Sequence, residues 1–270
     1  MSPGPEQTFI STATAARKPE PTHNQRTTLQ QKITRGFGYR HYTPARFTCL
    51  RIAVTLFAVP LSRLSGRSMQ VREKVDTARF NQAATPPYSL RLNDFQIAME
   101  DVFDFFFDVN NFFLERGLPR LDDLLRPANM SGLLSDMLTA SIAKHSRTLV
   151  QNCYHNGHPD LLLGGKYPNN CAKAGDEGVE IKTTRKKGGA VDTHGGRNQW
   201  MCVFVYEVDN ATEPAQDRRA MRSTELYLSH VGVEDFRKNP RGELGTRTAT
   251  LDREGVKKLR ANWIYKLEST

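Results

Sequence analysis

Apolar residues recur at helical spacing through Phe95, Met99, Val102, Phe103, Phe106, Val109 and Phe113. That period predicts an amphipathic helix, capped at Asn93 or Asp94 and stopped by Gly117-Leu118-Pro119. The surplus phenylalanines of VFDFFFDVNNFF are assigned to core packing, with a partner interface as the alternative. Leu134, Met137, Leu138, Ser141, Ile142 and His145 share one face of a second helix, beginning after Ser131. His145 is read there as a packed or half-exposed helix position, not a ligand. Beyond it the period falls from about 3.6 to 2 residues. DLLLGG, GVEIKTT, WMCVFVYEV and TELYLSHV are short, apolar or alternating, and bounded by Gly, Asn and Asp, which predicts strands. LDREGVKKLRAN predicts a short basic helix capped by Asp252, and Trp263-Ile264-Tyr265 a last strand. Two helices, a run of strands and a further helix make an α/β or α+β domain. No internal repeat is present.

Composition changes this picture at the N-terminal side. The 270 residues carry a formal net charge of +9. Ten Lys or Arg against two Asp or Glu lie before Met69, and the other 28 basic and 27 acidic residues nearly cancel. Residues 1–68, rich in Thr, Arg, Pro and Gln, lack a core-forming pattern and are expected to be a disordered basic extension or an over-extended start. The globular domain is placed at 69–270. It is nearly neutral, so any basic surface on it must be local. Cys49, Cys153, Cys171 and Cys202 show no CxxC spacing, and no apolar run approaches the roughly 20 residues of a membrane span. A reducing, cytoplasmic setting without a membrane follows as the expectation.

Two of the strands carry charge where charge is costly. Asp160 heads DLLLGG, and Glu180 and Lys182 lie inside GVEIKTT. Side chains alternate across a strand, so Glu180 and Lys182 share one face while Val179 and Ile181 anchor the other. The 19 residues between Asp160 and Glu180 allow a hairpin that sets the strands side by side. Two close carboxylates repel, and a divalent cation resolves the conflict. Carboxylate, carbonyl and water oxygens suit Mg²⁺ or Mn²⁺. Such an ion acidifies a water and neutralises a phosphate oxygen, with the lysine orienting the water. The outline is that of phosphodiester cleavage.

Pro159-Asp160, a spacer, then Glu180-Ile181-Lys182 resembles the signature of the PD-(D/E)xK nuclease superfamily, which includes type II restriction endonucleases. The resemblance implies a central mixed β-sheet flanked by helices over roughly residues 88–270. It implies Asp160, Glu180 and Lys182 as the catalytic set, and Asp160, Glu180 and the main-chain carbonyl of Ile181 as Mg²⁺ ligands, Mn²⁺ substituting. It implies Lys182 as water-orienting base or electrostatic aid. Many members add an acid from the preceding helix; Asp136 is the nearest candidate, but it faces away from the apolar stripe. Asp176 and Glu177 are read as loop acids. Gln199 follows the motif, but the QxxxY pattern of the exonuclease-type branch is absent because position 203 is Val. The expectation is therefore a Mg²⁺-dependent endonuclease acting on double-stranded DNA as a homodimer, with a possible cognate methyltransferase.

The residues after the motif suit nucleic acid. Arg185, Lys186 and Lys187 lead into a glycine-rich loop carrying His194, Arg197, Asn198 and Gln199, side chains able to meet phosphates or read base edges. Lys257, Lys258 and Arg260 are candidates for duplex-backbone contact or a helix-end charge cluster. His155 and His158 have no second His or Cys pair at zinc spacing and are read as shaping a turn or the site entrance. A structure-selective or repair nuclease, and a non-catalytic DNA-binding module, are the alternative functions.

Overall fold

The first long helix, α1, runs Leu92–Glu115 and buries Phe95, Ala98, Met99, Val102, Phe103 and Phe106. The structure, a computed structural model, describes residues 71–239 and 248–267, so the extension 1–68 lies outside the described residues. Arg91, not Asn93 or Asp94, is the N-cap of α1. Asp94 instead occupies the third helical position, where its carboxylate accepts the Arg91 main-chain N–H at 2.9 Å and still satisfies a first-turn donor. After the single turn α2 (Leu121–Leu124), α3 spans Pro127–His145. It starts before Ser131 because Pro127 sits at the first helical position, where its fixed φ is pre-organised and no N–H is missed. His145 lies within 3.4 Å of the Asp101 carboxylate, a helix-to-helix contact.

The strands are β1 (Leu149–Gln151), β2 (Leu161–Leu163), β3 (Gly178–Thr184), β4 (Asp192–Thr193), β5 (Gln199–Glu207), β6 (Arg222–Val231), β7 (Phe236–Lys238), β8 (Ala249–Leu251) and β9 (Trp263–Lys266). Helix α4 (Arg253–Ala261) precedes β9, and Asp252 caps it by accepting the Gly255 N–H at 2.9 Å. Among the described residues the main sheet has six strands in the order β1-β2-β3-β5-β6-β9, and a smaller one the order β4-β8-β7. Within the main sheet β3 and β5 pair parallel, whereas the β1–β2, β2–β3, β5–β6 and β6–β9 pairs are antiparallel. The sheet is mixed and carries helices on both faces.

Alternation along β3 and β5 divides the core. Val179, Ile181, Cys202 and Phe204 pack with Phe95, Met99, Phe106, Leu134 and Leu138 of α1 and α3. Met201, Val203 and Val205 point to the opposite face and pack with Tyr227, Leu251 and Leu259. Strand β5 is therefore covered on both sides, which explains its near-continuous apolar run. Each large apolar side chain so buried contributes roughly 1.5–3 kcal/mol. The two- and three-residue strands β1, β4, β7 and β8 carry too few positions to show alternation, and no sequence pattern announces them. No helix among the described residues is long and apolar enough to cross a membrane.

Candidate active site

Strand β2 pairs antiparallel with β3 through only two rungs, Leu161↔Val179 and Leu162↔Gly178. Gly178 makes this close approach possible: it has φ +150°, and a Cβ there would lie 1.9 Å from the Leu161 carbonyl oxygen. Past the Leu161↔Val179 rung the ladder continues through a side chain. The Ile181 main-chain N–H donates to Asp160 Oδ2 at 2.8 Å. On the face bearing Met201 and Val203, Lys182 Nζ donates to Glu180 Oε1 at 2.5 Å, and His158 Nδ1 lies 3.3 Å from Glu180 Oε2. Asp160, Glu180 and Lys182 thus meet at one point of the sheet, with His158 beside them. Glu180 is 2% exposed.

Burial, then the charge of Glu180, pushes the Asp160 carboxyl up to about 6, against the pull of Lys182, the Ile181 amide and His158. Burial works to raise Glu180 too, but the hydrogen bond from His158 and the charge and hydrogen bond of Lys182 outweigh it and hold Glu180 down at about 2. Burial disfavours a charged Lys182, yet Glu180 and then Asp160 raise its pKa above the ordinary lysine value. Lys182 is therefore an ammonium, suited to orienting and neutralising rather than to removing a proton.

The donor chemistry fits a hard divalent cation. A carboxylate offers about four lone-pair sites, and the contacts above leave Asp160 Oδ1 and part of Glu180 available. In an extended strand a residue's N–H and C=O point to the same edge. The Ile181 carbonyl therefore faces the edge where its N–H meets Asp160, away from β5. Among the described residues no cluster of three or more His, Cys, Asp and Glu side chains is arranged to hold a metal. The available set is two carboxylates and a main-chain carbonyl, an oxygen set of the kind Mg²⁺ or Mn²⁺ takes.

Other predicted residues fall at varied distances. Asp136 is exposed on α3, which packs on the face carrying Ile181, Thr183 and Val179, so it is on the wrong side of the sheet to join the carboxylates. Asp176 is bound by the Tyr167 hydroxyl at 2.5 Å and Glu177 pairs with Lys166 at 2.8 Å, both as loop acids. Arg185 donates to the Val208 carbonyl and to Asn210 Oδ1, each at 3.1 Å, which ties it to the far end of β5. At about 3.3 Å per residue, Arg185 lies roughly 16 Å along β3 from Glu180. Lys186, Lys187 and His194 are exposed, and Asn198 Oδ1 accepts the Val233 N–H at 2.9 Å. Gln199 opens β5 as a buried residue instead of ending the loop, because it belongs to the β5–β6 ladder opposite Val231. Arg197 is half-buried and close enough to Lys182 for its charge to oppose that of the lysine. His155 is exposed. Lys258 Nζ pairs with Asp235 at 2.7 Å, and Arg260 Nε donates to the Gly188 carbonyl at 3.2 Å.

Asn152 belongs to no motif, and nothing in its local sequence marks it. Its Nδ2 donates to the carbonyls of Pro159 and Ala172 at 3.0 and 2.8 Å, and its Oδ1 accepts the Ala172 N–H at 3.0 Å. Its main-chain N–H donates to the Asp160 carbonyl at 2.9 Å. One side chain thereby clamps the segment that presents His158 and Asp160 to the loop that leads into β3. Comparison of the chain with protein-family models, curated proteins and solved structures finds no match.

Proposed function

We propose that this protein is a Mg²⁺-dependent endonuclease of double-stranded DNA, with a restriction-endonuclease-like fold and the PD-(D/E)xK chemistry that its motif resembles. The observation that carries the reading is the meeting of Asp160, Glu180 and Lys182 at the point where the β2–β3 ladder stops. Asp160, Glu180 and the Ile181 carbonyl would hold the ion. Bound there, Mg²⁺ or Mn²⁺ supplies neutralising charge to a phosphate oxygen and acidity to a water.

The chain's own groups do the rest. Lys182, kept charged by its carboxylate partners, orients the attacking water and offsets charge developing on phosphorus. His158 and Lys182 together hold the two Glu180 oxygens in a fixed orientation. Cleaving both strands of a duplex calls for two such sites, hence a homodimer.

The test is cleavage of supercoiled plasmid with Mg²⁺ or with a chelator. Asp160→Asn, Glu180→Gln and Lys182→Ala should each fall to background while keeping a cooperative thermal transition. Retained Mg²⁺-dependent cutting by a clean preparation of any of the three would overturn the assignment. Sequencing the cut ends then separates a restriction enzyme, which cuts at one recurring sequence, from a structure-selective or repair nuclease.

A further inference from the structure

A groove of about 590 Å³ opens between β7, β8 and α4, and neither Asp160 nor Glu180 lines it. Its charged lining is Arg237, Arg253, Lys257 and Arg260 against the single acid Asp252, over a floor of Leu251 and Val256. Arg253, Lys257 and Arg260 follow one another at four and three residues, so they form one stripe along α4. All four cations are exposed; Lys257 also lies 3.6 Å from Glu254, which is outside the lining, and the Asp252 carboxylate is occupied with the Gly255 N–H. On a domain of nearly balanced charge this is a local concentration of positive potential in a concave surface, the form that gathers a polyanion.

Its position gives it a partner. Leu251 and Leu259 pack with Met201 and Val203, on the same face of the main sheet that carries Glu180 and Lys182. Arg260 reaches from the groove to the Gly188 carbonyl, just beyond the end of β3. The six residues from Lys182 to Gly188 span at most about 20 Å at ~3.3 Å each. That is roughly six base-pair rises of a duplex. We infer that the Arg237–Arg253–Lys257–Arg260 groove is a second contact site for the sugar-phosphate backbone of a nucleic-acid duplex, engaged by the same duplex that lies across the carboxylates. The inference rests on the nuclease reading for its ligand. It differs from the sequence expectation in its residues: Lys258 is paired with Asp235 and does not line the groove, whereas Arg237 and Arg253 do.

The experiment uses the full chain carrying Arg237→Gln, Arg253→Gln and Lys257→Gln together. Arg260 is left in place because it also holds the Gly188 turn. Anisotropy of a long fluorescent duplex, about 24 base pairs, is read in Ca²⁺ across a salt series, beside Mg²⁺-dependent cleavage of plasmid. For the long duplex the triple variant should bind at least tenfold more weakly at moderate salt. The slope of log K against log salt should shrink by about 0.9 for each phosphate no longer neutralised. An unchanged slope and affinity in a protein that cuts plasmid would overturn the groove and leave the nuclease reading intact. A wild type that cuts nothing, yet loses duplex affinity with the three substitutions, would overturn the nuclease reading and leave the groove. Weakened binding to anionic vesicles or an acidic peptide, with duplex binding unaltered, would overturn the groove's assignment to nucleic acid.

Discussion

The carboxylate of Asp160 takes the place of a main-chain partner: its Oδ2 accepts the Ile181 N–H at 2.8 Å, one step past the last β2–β3 rung. This single bond sets the acid beside Glu180 and turns the Ile181 carbonyl to the same edge. A strand pair that stays closed would bury that carbonyl in the ladder. Here the ladder stops at Leu161↔Val179, and the edge beyond it carries the Asp160 carboxylate.

Asp160→Asn should raise stability in chelator at pH 7 to 8. The Asp160 pKa rises from 3.8 to about 6 on folding, so ionised Asp160 opposes folding fully above the folded pKa. The opposition fades as pH falls through 6 and is gone below the unfolded value. The expected gain is on the order of 1–3 kcal/mol at pH 7.5, shrinking toward zero near pH 4. Urea denaturation at several pH values measures it. Added Mg²⁺ should raise the midpoint of the wild type but not of the variant.

His158→Ala should lower Mg²⁺ affinity or cleavage by about 10- to 100-fold, as removal of a group that orients a ligand does. The His158 ring meets Glu180 Oε2, and the main-chain hydrogen bonds of His158 with Lys173 and Gly175 survive the substitution, so the fold should persist. Calorimetric titration of the metal and single-turnover cutting separate the two effects. Full activity in the variant would remove His158 from the site.

Gly178→Ala should destabilise the domain by more than about 2 kcal/mol, since a Cβ there meets the Leu161 carbonyl at 1.9 Å on a backbone at φ +150°. Denaturant titration reads the loss directly. A variant as stable as wild type would mean that β2 and β3 are less closely apposed.

Arg197→Ala should relax target preference more than Lys258→Ala. Arg197 lies near Lys182, and an arginine reading a base edge bidentately is worth roughly 1–3 kcal/mol of discrimination. Lys258 is engaged with Asp235, whose buried carboxylate also accepts the Gly232 N–H, so its loss should act on stability and overall affinity and not on target preference. Cleavage across a library of targets compares them; equal relaxation would move recognition away from the 188–199 loop.

Local pattern alone carried much of this molecule. The helical stripe from Phe95 to Phe113, the alternation of Val179 and Ile181 against Glu180 and Lys182, and the Asp252 cap are all short-range features. Period and capping act within a few residues, so they can be read from neighbours in the chain. Tertiary structure decided what depends on contacts between distant segments. The small sheet β4-β8-β7 forms from pieces too short to show a period. The assignment of faces put Asp136 behind the sheet and α4 in front of it. Asn152 gained its role only when residues 159 and 172 came within reach of one amide. Arg185 was drawn to the turn at Val208 and Asn210 and away from the carboxylates, because a strand rising about 3.3 Å per residue carries its own end far from its middle.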